Sequence, residues 1–126
     1  METSGLPGKH HIVECWQCNI ELLNDIHFIE KMMVKAAMIA GAELREVTFH
    51  QFAPQGISGA VLISESHLTI HTYPENGYAA VDVFTCGERM EPMVAINHIT
   101  EQLAAKNKDV LLIERGGGQI LKAARP

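Results

Sequence analysis

The sequence predicts a single α+β domain, a two-layer α/β sandwich with a mostly antiparallel sheet and two helices on one sheet face. Two segments carry apolar residues at helical spacing, and six short segments are rich in strand formers. These segments follow one another as strand, helix, strands, helix and strand. Consecutive strands joined by short turns are typical of antiparallel pairing.

The first part of the chain predicts a strand followed by a helix. Residues 10–16 are rich in strand formers, and residues 24–42 carry apolar side chains three and four positions apart. Asn24 or Asp25 can cap the start of this helix, and Gly41 can supply the left-handed residue at its end.

The middle of the chain predicts four strands, over residues 43–52, 57–64, 67–73 and 78–85. The turn signal APQG separates the first two of these strands. The stretch PENG predicts a hairpin turn between the last two.

The last part of the chain predicts a second helix and a final strand. The helix covers residues 92–107, with Pro92 in its first turn, and Val94 is counted on its apolar face. Residues 109–115 form the last predicted strand, and the tail that begins at Gly116 is expected to be loose.

The composition limits the possible functions. A chain of 126 residues with 47% apolar and 20% charged residues suits one soluble globular domain, residues 1–126. A net charge of -5 without a block of like charges disfavours a nucleic-acid partner. No apolar run reaches the roughly 18 residues of a membrane span, and no signal peptide is expected. The odd number of three cysteines favours a reducing, cytoplasmic location.

One face of the predicted sheet carries an unusual mixture of side chains. In residues 67–73, Leu68 and Ile70 are expected to point toward the helices because side chains alternate along a strand. The opposite face then carries His67, Thr69, His71, Tyr73, Asp82, Phe84 and Cys86. Such a face is too mixed for a core and too aromatic for bare solvent, so we expect a ligand site, a subunit interface, or both. His71 and Cys86 are expected on neighbouring strands.

Residues 64–67, Ser-Glu-Ser-His, could support self-cleavage. A serine hydroxyl held against the preceding carbonyl can attack it and convert the amide to an ester. A base can then remove the serine Cα proton and expel the upstream chain, and hydrolysis leaves a pyruvoyl group. On this interpretation the Glu65–Ser66 bond is cut, Ser66 is converted, and His71 is the candidate base.

A structural role is the alternative for each of these residues. Serines are common in strands and turns, a strand histidine is commonly hydrogen-bonded at the surface, and Cys86 could be a small buried hydrophobe. Cys15 and Cys18 form a CxxC pair, but the sequence has no second pair that would complete a zinc site. No metal is expected.

The segment ISESHLTIHTYPENGYAAVDVFTCG, residues 63–87, resembles the processing-site segment of the small bacterial and archaeal S-adenosylmethionine decarboxylase proenzymes. The resemblance extends upstream through FHQFAPQGISG and, more loosely, GKHHIVECWQC, and it covers roughly residues 8 to 90. The stretch HHIVECW departs from the usual Arg-His start of this segment in the family.

The resemblance implies a set of processing residues. The cleaved bond matches Glu65–Ser66, and Ser66 matches the precursor of a pyruvoyl cofactor. His71 matches the histidine that drives processing, and Ser58 matches a serine that assists it. The implied products are a beta chain of residues 1–65 and an alpha chain of residues 66–126 with a pyruvoyl N-terminus.

The resemblance also implies a substrate and an assembly. S-adenosylmethionine would form a Schiff base with the pyruvoyl group and lose carbon dioxide, and Cys86 would protonate the remaining carbon. Phe52 and Tyr73 match the aromatic residues that sandwich the adenine. The product would be the aminopropyl donor for spermidine synthesis, and the enzyme would be a homodimer of cleaved protomers associated through their sheets.

Two alternatives remain open from the sequence. A pyruvoyl-dependent decarboxylase could act on another amino acid, such as ornithine or arginine. A dimeric ligand-binding module on the same fold would need no cleavage, so an intact chain on a denaturing gel would identify it.

Overall fold

The computed structural model describes residues 7–118 and 124–126. Along the chain these residues form six strands, three α-helices and a short 3-10 helix, Pro74–Asn76. Their bounds are β1 (Gly8–Trp16), α1 (Ile20–Leu23), α2 (Ile26–Ile39), β2 (Leu44–Gln51), β3 (Ile57–Ile63), β4 (Ser66–Tyr73), β5 (Tyr78–Thr85), α3 (Pro92–Gln102) and β6 (Asn107–Arg115).

The six strands form one sheet in the order β2-β3-β4-β5-β1-β6. Every neighbouring pair is antiparallel. Helix α2 packs on β2 and β3, and α3 packs on β1 and β5, so both long helices contribute to one buried core with the same sheet face. The predicted fold class, an antiparallel sheet with two main helices on one face, is confirmed.

Helix α2 is shorter than predicted, with its start set by a capping side chain and its end by a glycine. The side chain of Asp25 accepts the N–H of Phe28 at 3.1 Å, which makes Asp25 the cap. Gly41 has a φ of 91°, the left-handed conformation expected after the helix. Asn24 instead ends α1, a four-residue helix that the sequence did not predict.

Helix α3 also ends earlier than predicted, at Gln102 rather than residue 107. Leu103 caps it, and Ala104 turns the chain with a φ of 54°. Its buried face is formed by Ala95, Ile96, Ile99 and Thr100, whereas Val94 is exposed. Placing Val94 on the apolar face was therefore wrong, because it lies at the exposed edge of a face whose predicted members Ile96, Ile99 and Leu103 are buried.

The core lies between the helices and one face of the sheet. Leu68 and Ile70 of β4 and Val81 and Val83 of β5 are buried there, as their alternation predicted. Complete burial of a large aliphatic side chain contributes about 1.5–3 kcal/mol, so these alternating positions hold the sheet face against the helices.

The tail was expected to be loose from Gly116 onward. Residues 119–123 lie outside the described part of the chain. Ala124 exchanges two backbone hydrogen bonds with Leu112, of 2.6 and 2.9 Å, so this residue pairs with β6 instead of being loose. Among the described residues, no helix is long and apolar enough to cross a membrane.

Candidate active site

The sheet surface that points away from the helices, here called the open face, carries His67, His71 and Tyr73 of β4, which alternate with the buried Leu68 and Ile70. The strand register fixes the position of each predicted site residue along the sheet. Ser66 pairs with Thr85, and seven residues further along β4 Tyr73 pairs with Tyr78. Ser66 and Tyr73 therefore mark opposite ends of the same strand.

Ser66 begins β4 in a strained backbone conformation. The two-residue turn Ser64–Glu65 connects β3 to β4, with Ile63 paired to Ser66. The φ of Ser66 is 137°, a region that residues with a side chain rarely adopt. Such a conformation costs on the order of 1–3 kcal/mol and persists only where the surrounding structure holds it. Cutting the chain before Ser66 would release this strain.

The carbonyl oxygen of Glu65 accepts a hydrogen bond of 2.8 Å from the backbone N–H of Cys86. This carbonyl belongs to the peptide bond predicted to be cut. Negative charge develops on this oxygen if a nucleophile attacks its carbon, and an N–H fixed beside it would stabilise that charge.

The Cys86 side chain lies beside Phe84 and the start of β1. A Cβ built on Gly8 would be 2.7 Å from Phe84 Cε1 and 3.4 Å from Cys86 Sγ. Only glycine at this position leaves room for the ring and the thiol. Ser66, Glu65 and Cys86 thus come together, and we call this group the cleavage end of the open face.

The Glu65 carboxylate is buried but satisfied. Its side chain is 6% exposed. Oε1 accepts the N–H of Glu43 at 3.1 Å, and Oε2 lies 3.2 Å from Nε of Arg89. A buried charge is tolerated when it has such partners, and here the partners anchor the residue whose carbonyl is predicted to be attacked.

The side chain of His67 hydrogen-bonds to the Ser66 hydroxyl. Its Nδ1 lies 3.4 Å from Ser66 Oγ, and its ring lies 5.6 Å from the ring of Phe84. Burial, followed by the charge of His10, lowers the pKa of His67 below its usual 6.5. The imidazole is therefore neutral at neutral pH and able to accept a proton.

The other end of the open face carries a second group of predicted residues. Ser58 and His71 are directly opposite on β3 and β4, and Ser58 Oγ lies 2.7 Å from His71 Nδ1. Phe52, just after β2, is 49% exposed. Tyr73, 43% exposed, stacks on Tyr78 with 5.5 Å between ring centres. We call Ser58, His71, Phe52 and Tyr73 the histidine end.

The two ends are separated within one protomer. His71 is five residues along β4 from Ser66, and a strand rises about 3.3 Å per residue, so the separation is roughly 16 Å. Cys86 lies beyond Thr85, the partner of Ser66, whereas His71 pairs with Ala80. His71 and Cys86 are on or beside neighbouring strands, as expected, but one chain does not bring His71 to Ser66.

Several neighbours of the site were not identified from the sequence. His10 Nε2 lies 2.8 Å from Asp82 Oδ1, and the guanidinium of Arg115 lies 4.7 Å from the Phe84 ring centre. Arg89 reaches Glu65. Each of these contacts joins distant parts of the chain, so periodicity within one segment gives no signal for them.

Cys15 and Cys18 are both buried, and the N–H of Cys18 donates to the carbonyl of Gly77 at 2.9 Å. A hydrogen bond from Cys15 lowers the pKa of the Cys18 thiol, while the same bond and burial raise the pKa of Cys15. Over residues 7–118 and 124–126, no group of three or more histidine, cysteine or acidic side chains could hold a metal ion.

Comparison with protein families identifies the chain. The family model described as S-adenosylmethionine decarboxylase matches residues 9–116. The chain belongs to the S-adenosylmethionine decarboxylase family. The resemblance noted for residues 63–87 is thereby confirmed, and membership makes the protein a carboxy-lyase, an enzyme that removes a carboxylate as carbon dioxide.

Individual relatives in this family are similar over most of their length. An S-adenosylmethionine decarboxylase proenzyme of Clostridium kluyveri is 61% identical over 109 residues, 86% of each chain. A proenzyme of Bacillus cytotoxicus is 55% identical over 118 residues, 94% of this chain and 91% of the relative. The crystal structure of the adenosylmethionine decarboxylase from Aquifex aeolicus superimposes with a TM-score of 0.83 at 32% identity, covering 90% of this chain and 93% of that one.

Proposed function

We propose that the chain is a proenzyme that cuts itself between Glu65 and Ser66, converts Ser66 to a pyruvoyl group, and then decarboxylates S-adenosylmethionine. The product would be the aminopropyl donor for spermidine synthesis. The single observation that carries this proposal is the arrangement at the cleavage end. A strained Ser66 follows a carbonyl that is held by the N–H of Cys86, in a chain of this family.

Processing begins with attack of Ser66 Oγ on the Glu65 carbonyl carbon. The Cys86 N–H would stabilise the charge that develops on the carbonyl oxygen. The C–N bond then breaks, which gives an ester and relieves the backbone strain at Ser66. The second step needs a base that removes the Ser66 Cα proton so that the upstream carboxylate can leave.

We infer that this base comes from a second protomer. The protein would form a two-fold dimer in which the open faces pack against each other, about 10 Å apart as in other sheet packings. A two-fold interface places the same surface on both partners, so the histidine end of one protomer can lie over the cleavage end of the other. The partner subunit's His71 would then act as the base, oriented by the Ser58 hydroxyl.

The same arrangement would form the substrate site. The pyruvoyl group supplies a ketone that condenses with the substrate amine and withdraws electrons as carbon dioxide leaves. Cys86 Sγ would hold the proton that returns to the substrate carbon. Phe52 and Tyr73 of the histidine end offer exposed rings for the adenine and for the sulfonium cation. The three free thiols suit a reducing compartment, and we propose the cytoplasm.

The shared site can be tested by mixing two defective chains. Ser66→Ala cannot be cut, and His71→Ala lacks the base. The two are co-expressed with different affinity tags, and mixed dimers are isolated by both tags. The His71→Ala chain should be cut in the mixed dimer, because its partner provides His71, whereas it should stay uncut when expressed alone. A His71→Ala chain that remains whole in the mixed dimer would contradict the shared site.

The activity is tested separately on cut, wild-type protein. Carbon dioxide release is measured with S-adenosylmethionine, ornithine and arginine. Release from S-adenosylmethionine alone supports the proposed substrate, and faster release from another amino acid would replace it. A wild-type chain that stays whole after prolonged warm incubation would disprove self-cleavage, with Ser66→Ala as the uncut reference.

A further inference from the structure

The first processing step also needs a base. Ser66 Oγ must lose its proton as it attacks, and the distance along β4 keeps His71 of the same chain away. Among the described residues, the one side chain that hydrogen-bonds to Ser66 Oγ is His67, through Nδ1 at 3.4 Å. A base must lie within hydrogen-bond reach of the proton that it accepts, and such contacts often shorten as the reaction proceeds.

We propose that His67 accepts the proton of the Ser66 hydroxyl in the amide-to-ester step, leaving the later removal of the Cα proton to His71. This inference rests on the proposed function, since it concerns self-cleavage at Glu65–Ser66. His67 would be a catalytic residue of the first step only, and it acts from the same chain that is cut.

The surroundings of His67 hold its ring in place. The ring packs against Phe84 at a tilt of 60°, and Phe84 also contacts the ring of His10 at 5.7 Å and the guanidinium of Arg115 at 4.7 Å. A ring fixed on one side by Phe84 keeps its Nδ1 edge toward Ser66.

The same surroundings keep the ring neutral. Burial is the main cause of the lowered pKa of His67, and the charges of His10 on β1 and Arg115 on β6 lower it further. Asp82 on β5 acts in the opposite direction. However, its carboxylate is already bound by His10 at 2.8 Å and by the hydroxyl of Thr69 at 3.3 Å. A neutral imidazole is the form that can take a proton.

The proposed step is balanced within the chain. The Oγ–C bond forms, the proton passes from Oγ to His67 Nδ1, and the charge on the carbonyl oxygen is held by the Cys86 N–H. When the C–N bond breaks, the proton passes from His67 to the Ser66 nitrogen, which becomes a free amine. No oxidant, reductant or other reactant is required.

The test measures ester formation in a His71→Ala background, where the second step is blocked. Hydroxylamine cleaves the ester and releases residues 1–65 and 66–126. At saturating hydroxylamine, ester that is already present is cleaved in an initial burst. The rate of cleavage after this burst equals the rate at which the amide is converted to the ester. Adding His67→Ala or His67→Gln should slow this rate by about 10²- to 10⁴-fold, the usual contribution of one positioned base. Adding His27→Ala, an exposed position on α2, should leave it unchanged.

Two further readouts separate catalysis from a structural role. Added imidazole should restore ester formation in the His67→Ala protein. In the His71→Ala protein the rate should rise with pH and level off once a group with a pKa below about 6.5 has lost its proton. This inflection should disappear with His67→Gln, which also serves as the measured variant if His67→Ala does not fold.

A negative result for His67 differs from a negative result for self-cleavage. Ester formation at an unchanged rate, or an unchanged pH profile, in the His67 variants would overturn the role of His67 while self-cleavage stands. Failure of the His71→Ala protein itself to give any hydroxylamine-sensitive bond would instead count against the proposed processing chemistry.

Discussion

Ser66 differs from the other serines of the sheet in its backbone conformation rather than in its side chain. Its hydroxyl has no unusual chemistry of its own. The φ of 137° and the fixed carbonyl of Glu65 set it apart from Ser58, whose hydroxyl also has an imidazole beside it. Substitution of a single side chain can therefore test the one reaction step that its position allows.

Cys86 should matter after cleavage rather than before it. Cys86→Ala should still be cut, because the N–H that binds the Glu65 carbonyl belongs to the backbone and is kept. Carbon dioxide release should fall by about 10²- to 10⁴-fold, the usual contribution of one positioned acid. The mass of the 66–126 chain is measured after turnover. It should show conversion of the N-terminus to alanine in chains where the proton is added to the pyruvoyl-derived carbon instead of the substrate carbon. Cys18→Ala is the matched control, and wild-type turnover by Cys86→Ala would remove the thiol from the mechanism.

His11 should make stability depend on pH. It is buried, its Nδ1 has no partner among the described residues, and burial, followed by Lys9 and His10, lowers its pKa. Because the folded pKa lies below the unfolded value of about 6.5, the unfolded chain binds the proton first as the pH falls. Stability is therefore complete above about pH 6.5 and is lost as the pH falls toward the folded pKa.

The measurement is urea unfolding of uncut Ser66→Ala protein from about pH 7.5 to about pH 5. Adding His11→Leu should reduce the loss of stability on the acid side. The exposed His27 provides the control, as His27→Leu. If the protein with His11→Leu loses as much stability at acid pH as the protein without it, His11 does not contribute to the pH dependence of stability.

Among the elements, the turn between β3 and β4 depends on the segment between β5 and α3. Arg89 of that segment lies 3.2 Å from the Glu65 carboxylate and donates to the carbonyl of Gly41 at 3.2 Å. Arg89 thereby joins the turn Ser64–Glu65 to the end of α2. Three segments distant in sequence are fixed to one another by one guanidinium.

Removal of this guanidinium should weaken both the fold and the cleavage. Arg89→Ala leaves a buried carboxylate without its ionic partner, and we expect a loss of about 1–3 kcal/mol in the free energy of unfolding. Urea unfolding in the Ser66→Ala background measures it, and the time course of cleavage measures the effect on processing. Arg45→Ala, which breaks a largely exposed pair with Glu43, should cost less than about 1 kcal/mol. Equal losses for the two variants would contradict the anchoring role of Arg89.

For the whole molecule, the proposed shared site would make assembly part of the mechanism, because the two ends are separated within one protomer. Leu62 points to the open face on β3 and is 43% exposed, so a charge there is tolerated by one protomer but not by a sheet-to-sheet interface. Leu62→Arg should therefore be a folded monomer by sedimentation velocity. It should form the hydroxylamine-sensitive ester without maturing, since His67 is in the same chain and the partner's His71 is missing. A monomer that matures at the wild-type rate would disprove the shared site.

The sequence alone predicted the layers, the two long helices and the six strands, because alternation and helical spacing are properties of each segment. It also indicated Ser66, Glu65, His71 and Cys86, since their motif is continuous or nearly so. The spacing of five residues between Ser66 and His71 was already enough to separate them on a strand. The structure places both residues on β4, with Ser66 opposite Thr85 and His71 opposite Ala80.

Only the tertiary structure decided which groups meet. The contacts of His10 with Asp82, of Arg89 with Glu65 and of the Cys86 N–H with the Glu65 carbonyl depend on strand order and register. The left-handed φ of Ser66 and the short helix α1 were not predictable either, because a single residue or four residues show no periodicity. Local patterns determine elements, whereas a site depends on packing between segments far apart in the chain, and that packing is settled by the whole core at once.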